Sequence, residues 1–260
     1  MEKDDIEFEL MNKIMNHKEA VLKKYPEYQI LGIFLYGSQN YNIATEKSDV
    51  DTKAIIIPTV EQLAFKPVRV EIIEFGDGGH CEIMSITHWV ENLKKQNVNF
   101  VETLFTQYRW INPIYLDIWK ETFLEKREDI ANYDKDRMVK SICHQAINTL
   151  TRYDTGKSLA NGYRFRYFLY NKLKGVDYLK CIKVVNPLNE YLIELKLDKT
   201  VGLKSERDAL INWFKMVKDQ SYYVDETQKT ILDKEITKIT LSFIDEAEIK
   251  KKLLTLKAMN

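Results

Sequence analysis

The sequence predicts an α+β fold, with a small mixed β-sheet in the first part of the chain and a helical region after it. Apolar runs of strand length and composition occupy residues 30–36 and 54–57, on either side of a polar connector. Two further short runs flank the turn residues 76–79, a pattern typical of a β-hairpin. Later in the chain the apolar residues recur at helical spacing. We therefore expect a sheet-containing domain at residues 1–110 and a helical domain at residues 111–260.

The composition predicts a soluble, cytoplasmic protein. The chain has 260 residues, of which 45% are hydrophobic and 30% charged, and 39 basic residues balance 39 acidic ones. No apolar run reaches the ~18 residues that a membrane helix needs, and the charged N-terminus lacks the apolar core of a signal peptide. The three cysteines form no CxxC pair, so neither a disulfide framework nor a zinc site is favoured. The balanced charge excludes a global basic field but is compatible with a local basic groove.

Each element follows from its local pattern. The first helix, residues 6–24, has apolar positions at helical spacing and ends before a proline. Thr87, and then Asn97 or Asn99, are suitable N-cap residues for two helices, and Pro113 suits the first turn of another. The predicted strands are residues 30–36, 54–57, 68–75 and 81–86, and the later predicted helices are residues 87–96, 97–107, 134–153, 157–173, 188–195, 205–217 and 226–254.

Two carboxylates stand at the start of the second apolar strand. Asp49 and Asp51 are two residues apart, and such side chains on a strand share one face, with backbones roughly 6.5–7 Å apart. Gly37 and Ser38 break the first strand, and a Gly-Ser turn lets backbone N–H groups and a hydroxyl approach phosphate oxygens. Two carboxylates beside such a turn can hold divalent cations and a polyphosphate. A Ser-Asp-Val-Asp segment alone is more often a turn with solvated acids, so this prediction depends on the strand context.

The same residues indicate the type of metal site. Metal-assisted phosphoryl transfer uses two cations about 3.5–4 Å apart. Magnesium prefers oxygen ligands and keeps several waters, so two or three carboxylates are enough. We expect Asp49 and Asp51 to supply two of them and Glu82, on a neighbouring predicted strand, to supply the third. The expected cofactor is a pair of Mg²⁺ ions, with Mn²⁺ as the alternative.

The turn and the acids together resemble a family signature. Gly-Ser at 37–38, ten intervening residues and Asp-Val-Asp at 49–51, between apolar flanks, look like the signature of the DNA polymerase β-like nucleotidyltransferase superfamily. Residues 37–55 are similar to a bacterial and phage branch of predicted nucleotidyltransferases, some of them associated with RNA repair, and residues 94–105 also resemble that branch. Asn42 stands where many relatives carry glycine.

The resemblance implies a polymerase β-like palm that binds a nucleoside triphosphate. Gly37 and Ser38 would hold the triphosphate, and Asp49 and Asp51 would bind both metal ions. A carboxylate on a later strand would complete the metal site near the attacking hydroxyl. Glu82 matches that position, where relatives carry aspartate.

A helix in the second half carries a further candidate set. Lys157, Asn161, Arg164 and Phe168 fall at i, i+4, i+7 and i+11, on one face of the predicted helix. The Lys and the Arg can reach a triphosphate, and the aromatic ring can lie near a base. Relatives in the family have a Lys and an Arg at comparable places. The alternative is an amphipathic helix with its charges in solvent and its Phe in the core.

Other residues near the motif allow two interpretations each. Lys53, on the predicted face of Asp51, compensates the carboxylates or contacts phosphate, and we include it among the nucleotide-binding candidates. Asn40 and Tyr41 either line a nucleotide pocket or pack locally. Glu102 either orients the neighbourhood of Asp51 or, as we expect, is a solvated helical residue.

The sequence thus predicts a nucleotidyltransferase that passes a nucleoside monophosphate from a nucleoside triphosphate to an acceptor hydroxyl and releases pyrophosphate. RNA, a tRNA end included, is the favoured acceptor, because of the resemblance and because basic residues alternate with tyrosines over residues 164–183. Chance alone also produces such runs in a chain rich in lysine and tyrosine. A protein hydroxyl or a small molecule such as an aminoglycoside is the alternative acceptor. A second hypothesis is a catalytically silent nucleotide or RNA sensor on the same fold.

Overall fold

The computed structural model describes residues 3–46, 48–59, 70–197 and 204–224, together with part of the segment 226–245. The fold is α+β, as the sequence predicts, with a five-stranded mixed sheet followed by a helical C-terminal region. Within the described residues, no helix combines the length and the apolar character needed to cross a membrane.

The strands lie in the first part of the described chain, and most of the helices follow them. The strands are β1 (Gln29–Tyr36), β2 (Asp51–Ile57), β3 (Glu71–Glu74), β4 (His80–Ser85) and β5 (Arg109–Ile111). The helices are α1 (Lys3–Lys24), α2 (Ile86–Lys94), α3 (Val98–Val101), α4 (Leu116–Trp119), α5 (Arg127–Asn132), α6 (Lys135–Arg152), α7 (Gly156–Leu173), α8 (Tyr178–Ile182), α9 (Leu188–Leu197) and α10 (Lys204–Lys218). Short 3₁₀ segments at Glu102–Leu104 and Pro113–Tyr115 and a π-helical segment at Lys120–Leu124 connect some of them. The described residues between 226 and 245 are helical.

The sheet has the strand order β3-β4-β2-β1-β5, in which β2 and β4 are parallel and the other neighbours are antiparallel. The predicted hairpin is therefore the pair β3 and β4. Because β1 runs opposite to β2, the end of β1 meets the starts of β2 and β4, and Tyr36 lies opposite Asp51. This corner of the sheet brings the predicted turn and carboxylates together.

The two faces of the sheet pack against different parts of the chain. On β2, Ala54 and Ile56 belong to the core formed with α1, whereas Ile55 and Ile57 belong to the core formed with the helical region. Side chains on a strand alternate between faces. Asp51, an even number of residues from Ile55, is therefore directed toward the helical region.

In the helical region, α7 contacts α6 and α9, and α10 contacts α6. Each of its two long helices begins at a capped N-terminus. Asp134 accepts a hydrogen bond from the backbone N–H of Arg137 at 2.9 Å, and Thr155 forms a capping box with Ser158 at the start of α7. These two caps determine where α6 and α7 begin.

Three expectations need correction. The prediction that strands end at residue 86 is wrong, because β5 pairs with β1; three residues are too few to show a period-two pattern, and the pairing is a tertiary contact. The helix predicted over residues 97–107 stops earlier, at Leu104 of the 3₁₀ segment. Asp49 lies before β2, which begins at Asp51, so the two carboxylates do not share one strand.

Some expectations fall partly outside the described residues. The strand predicted at residues 68–75 is described from residue 70 onward, where Glu71–Glu74 forms β3. The last predicted helix is described only in part. The proposed domain boundary at residue 110 falls inside β5 and stays a prediction.

Candidate active site

A turn follows β1, as predicted. Gly37 has φ +88, a left-handed conformation that favours glycine. The backbone N–H groups of Asn40 and Tyr41 bond back to the carbonyls of Gly37 and Ser38 at 3.0 and 3.2 Å. Residues of this segment form turns rather than a helix, so the turn approaches a ligand through backbone groups and the Ser38 hydroxyl.

The side chains of this turn anchor it to the rest of the chain. Asn40 is buried, donates to the carbonyl of Leu35 at 2.9 Å and accepts from the Thr106 hydroxyl at 2.8 Å. Asn42 has φ +61, a conformation that asparagine tolerates better than most residues. Its side chain donates to the carbonyl of Val184 at 3.2 Å. An asparagine in place of glycine therefore ties the turn to the helical region.

Asp49 and Asp51 lie beside this turn. Asp51 is the first residue of β2, and Asp49 is half-buried two residues earlier. Burial raises the pKa of Asp51, and the charge of Asp49 adds to it, against the opposing effect of His80 and Lys157. Gly78 lies at the tip of the β3–β4 hairpin, with φ +89, and is close to the Asp49 side chain. A Cβ atom added to Gly78 would lie only 2.9 Å from Asp49 Oδ1. The hairpin tip therefore confines the Asp49 carboxylate.

Glu82 has partners within the protein. It forms an ion pair with Lys53, directly across from it on β2, and accepts a hydrogen bond from the Tyr36 hydroxyl at 2.9 Å. Burial would raise the pKa of Glu82, but Lys53 and Tyr36 outweigh it and hold the pKa below its ordinary value. The Lys53 ammonium also lies 3.9 Å from the ring centroid of Tyr36 and 4.8 Å from that of Phe100. Lys53 is thus buried beneath the site and compensates Glu82.

His80 occupies the space between Asp51 and Glu82. The Tyr36 hydroxyl lies 2.6 Å from His80 Nε2, and it gives its single proton to the ionised Glu82, so the Nε2–H of His80 donates to Tyr36. Nδ1, the other ring nitrogen, lies 2.8 Å from Asp51 Oδ1. Oδ1 is buried and has no hydrogen bond of full geometry among the described residues.

A cavity of about 380 Å³ opens between this corner of the sheet and the helical region. The sheet side contributes Gly37, Ser38, Asp49 and Asp51. The helical side contributes Lys157, Asn161 and Arg164 of α7 and Lys196 of α9. Six of the eight predicted site residues thus line one cavity, while Lys53 and Glu82 lie beneath it.

The helix face predicted on α7 is divided between the cavity and the core. Arg164 is only 5% exposed, and its guanidinium carbon lies 3.8 Å from the ring centroid of Tyr41. Phe168 is buried and packs edge-to-face on Tyr178. Tyr178 is itself buried, so the basic and aromatic residues predicted as an RNA-binding run do not form a single exposed surface.

Glu102 is a correction, because it is fully buried rather than solvated. Burial raises its pKa to about 7, and Tyr41, Arg164 and Lys53 counteract burial only in part. Neither carboxylate oxygen has a hydrogen bond of full geometry among the described residues. Glu102 lies behind the Gly37 turn and supports it from the interior.

Lys196 is a cavity residue that the sequence did not reveal. Its ammonium donates to the carbonyl of Ile43 at 2.8 Å and lies 3.4 Å from the Ser48 hydroxyl. Burial, and then the charges of Lys157 and Arg164, lower its pKa to about 8, against the opposing charge of Asp49. A single lysine on a short amphipathic helix carries no local signal, so only the packing of α9 on α7 could identify it.

The residues present fit a divalent cation at Asp49 and Asp51. No three His, Cys, Asp or Glu side chains within the described residues are already grouped around a metal position. Magnesium is commonly held by one or two carboxylates together with waters and substrate phosphates. The buried Oδ1 of Asp51, with His80 Nδ1 beside it at 2.8 Å, is the kind of oxygen that such an ion requires.

Comparison with known proteins identifies a similar solved structure. The chain is similar to a nucleotidyltransferase-like protein from Exiguobacterium sibiricum, with a TM-score of 0.30 and 13% sequence identity over 89% of this chain and 91% of that chain. No family model matches the sequence, and no curated protein matches it.

Proposed function

We propose that this protein is a magnesium-dependent nucleotidyltransferase. It binds a nucleoside triphosphate, transfers the nucleoside monophosphate to an acceptor hydroxyl and releases pyrophosphate. The observation that carries the proposal is the distribution of charge in the central cavity. Asp49 and Asp51 line its sheet side, Lys157 and Lys196 its helical side, and no ion pair joins the two sides among the described residues.

A cation–polyphosphate complex fits between such walls. Its metal ion would face the two carboxylates, and its phosphates would face the lysines and Arg164. The Gly37 turn would present backbone N–H groups and the Ser38 hydroxyl to the terminal phosphates. The cavity volume of about 380 Å³ lies within the range of small-molecule sites.

Asp49 and Asp51 are the residues that would hold the metal, Mg²⁺ or Mn²⁺. When bound, the metal neutralises phosphate charge and lowers the pKa of the attacking hydroxyl. The assignment of Glu82 as a third ligand stays a prediction, because coordination requires Glu82 to exchange its ion pair with Lys53 for the metal. His80 is the alternative third ligand.

The protein's contribution to the reaction is positioning and charge. The acceptor oxygen attacks the α-phosphorus in line, the bond to the β-phosphate oxygen breaks, and the hydroxyl proton leaves to water. Lys157, Arg164 and Lys196 would stabilise the negative charge that accumulates on the departing pyrophosphate. Ser38 and the Gly37 turn would keep that leaving group aligned.

Transfer of label from a nucleoside triphosphate tests the proposal. Purified protein is incubated with Mg²⁺, each α-³²P-labelled triphosphate in turn, and total RNA or cell lysate. We expect label in RNA with the wild type, a loss of at least about a hundredfold in Asp49→Asn and Asp51→Asn, and no change in Asp208→Asn, an exposed acid on α10. Label in protein or in a small molecule would identify the alternative acceptors, and equal transfer by all four proteins would refute the proposal.

The assignment of His80 has a separate test. In the wild type loaded with Mn²⁺, pulsed electron paramagnetic resonance should detect the nuclear coupling of a directly bound ¹⁴N. The coupling should vanish in His80→Gln and persist in His88→Gln, whose exposed ring lies on α2. A wild-type spectrum without nitrogen coupling would instead favour Glu82.

A catalytically silent sensor is the second candidate function. The observation in its favour is the pairing of Glu82 with Lys53, which leaves the predicted three-carboxylate set incomplete. The sensor predicts metal-dependent binding of a triphosphate, lost in the Asp51→Asn variant, without any transfer of label.

A further inference from the structure

Helix α6 has two faces of opposite character. One face is buried in the core of the helical region and consists of Met138, Val139, Ile142, Cys143, Ala146 and Leu150. The other face carries only polar side chains: Ser141, Gln145, Asn148, Thr149 and Arg152 fall at i, i+4, i+7, i+8 and i+11. The polar face is therefore a continuous stripe along the helix.

This stripe forms one wall of a second cavity, here called the α6 cleft. The α6 cleft has a volume of about 330 Å³ and is lined by Asn97, Ser141, His144, Gln145, Asn148, Thr149, Arg152 and Tyr153. Gln145 and Thr149 also line the central cavity. The two cavities thus share a wall, and the α6 cleft lies next to the central cavity.

The chemistry of the α6 cleft differs from that of the central cavity. Its lining contains amides, hydroxyls, one imidazole, one guanidinium and one aromatic ring, but no carboxylate. Tyr153 is 54% exposed, so its ring is available for stacking. Across the described residues, the six lining side chains that α6 contributes make no intramolecular hydrogen bond or ion pair. Their hydrogen-bonding capacity is directed to the cleft.

We propose that the α6 cleft binds the acceptor, and that the acceptor is the 3′-terminal nucleotide of single-stranded RNA. This inference rests on the proposed function. Arg152 binds the phosphate of that nucleotide, and the Tyr153 ring stacks on its base. Gln145 and Asn148, which have both donors and acceptors, bind the ribose hydroxyls and the base edge.

The shared wall explains how transfer follows from binding. Gln145 and Thr149 contact both cavities, so the terminal hydroxyl of a nucleotide in the α6 cleft points toward Asp49 and Asp51. The reaction is the one described above: a bond forms from that hydroxyl oxygen to the α-phosphorus and pyrophosphate leaves. The overall charge of the chain is balanced, so the affinity should depend on this cleft rather than on a general basic surface.

The test is direct binding of RNA in the absence of nucleotide. The probe is a fluorescein-labelled single-stranded RNA of twelve mixed nucleotides with a free 3′-hydroxyl, followed by fluorescence anisotropy at low salt. We expect Kd to rise about tenfold in Arg152→Glu and in Tyr153→Ala. Arg166→Glu on α7, an exposed arginine that lines neither cavity, should bind like the wild type.

Binding of a fluorescent methylanthraniloyl-ATP or -GTP with Mg²⁺ is measured in parallel, and should be unchanged in the two cleft variants. Equal RNA affinity in the wild type and both cleft variants would overturn the inference. A wild type that binds the nucleotide but not the RNA would also overturn it while leaving the proposed function intact. A wild type that binds RNA through the cleft but never binds nucleotide would contradict the proposed function alone.

Discussion

The burial of Glu102 predicts how the stability of the protein depends on pH, which the sequence alone could not predict. Its pKa in the folded protein is about 7, against an ordinary value of 4.5. Between these values the folded state keeps a proton that the unfolded state has lost, so stability must fall as the pH rises through this window. Above about pH 7 the carboxylate is ionised in both states, and the loss is complete.

The size of the effect follows from the pKa. Each pKa unit corresponds to about 1.4 kcal/mol, so the pKa of about 7 implies that ionising Glu102 costs about 3 kcal/mol of folding free energy at high pH. This is a large fraction of the 5–15 kcal/mol by which proteins are typically stable. The Glu102→Gln substitution keeps the shape of the side chain and removes the ionisation.

The assay is urea unfolding of wild type and Glu102→Gln at pH 5 and at pH 8. All other titrating groups are common to both proteins, so the difference between their pH dependences reports Glu102. We expect the wild type to lose about 2.5 kcal/mol more than the variant between these pH values, because part of the loss has already occurred at pH 5. Glu121→Gln, at an exposed site, should behave like the wild type. Parallel pH profiles for wild type and Glu102→Gln would refute the argument from burial.

The remaining predictions concern the cavity and its frame. Gly78→Ala should lose about 1–2 kcal/mol of stability from its left-handed backbone and should also weaken Mg²⁺-dependent nucleotide binding, because the new methyl group would displace Asp49. Gly175→Ala has the same backbone strain but nothing within 4 Å of its Cβ, so calorimetry should show the same loss of stability without the loss of binding. Lys196→Met should weaken triphosphate binding about tenfold at pH 7. With a pKa of about 8, Lys196 is charged below that pH and neutral above it; wild-type affinity should therefore fall between pH 7 and 9, and the variant should show no such fall in a fluorescence titration. Thr155→Ala should cost about 1 kcal/mol in thermal unfolding, because it removes the N-cap of α7.

Much of the fold could be predicted because its signals are local. The apolar strands β1 and β2 and the turn residues of the β3–β4 hairpin each identify an element within a few residues of sequence, and the long helices α6 and α7 have apolar residues that recur at helical spacing. The short strand β5 has no such signal, because it exists only through its pairing with β1. The helices α4, α5 and α8 have four to six residues, which is too short for the apolar pattern to repeat at helical spacing.

The residues of the site also divide into those that the local sequence identifies and those that it does not. The motif residues Gly37, Ser38 and Asp51 could be recognised because their spacing along the chain reflects a single strand–turn–strand unit. Lys196 and His80 could not, because each enters the site through packing between elements that are distant in sequence. The error on Glu102 has a physical cause as well, since a glutamate is seldom fully buried without a charged partner.

The position of Lys53 explains why the acidic side chains on the sheet side of the cavity are not paired with the basic side chains on its helical side. Beneath the cavity, Lys53 neutralises the charge of Glu82, so this pair does not require a counter-charge from a ligand. Asp51 has no such internal cation, and the nearest positive charges of the helical region lie across the cavity from it. A phosphate alone would add repulsion to the carboxylate side, and a divalent cation alone would add repulsion to the lysine side. A ligand that satisfies both walls must carry a cation on one side and anionic phosphates on the other, and this requirement distinguishes a metal–triphosphate complex from either component alone.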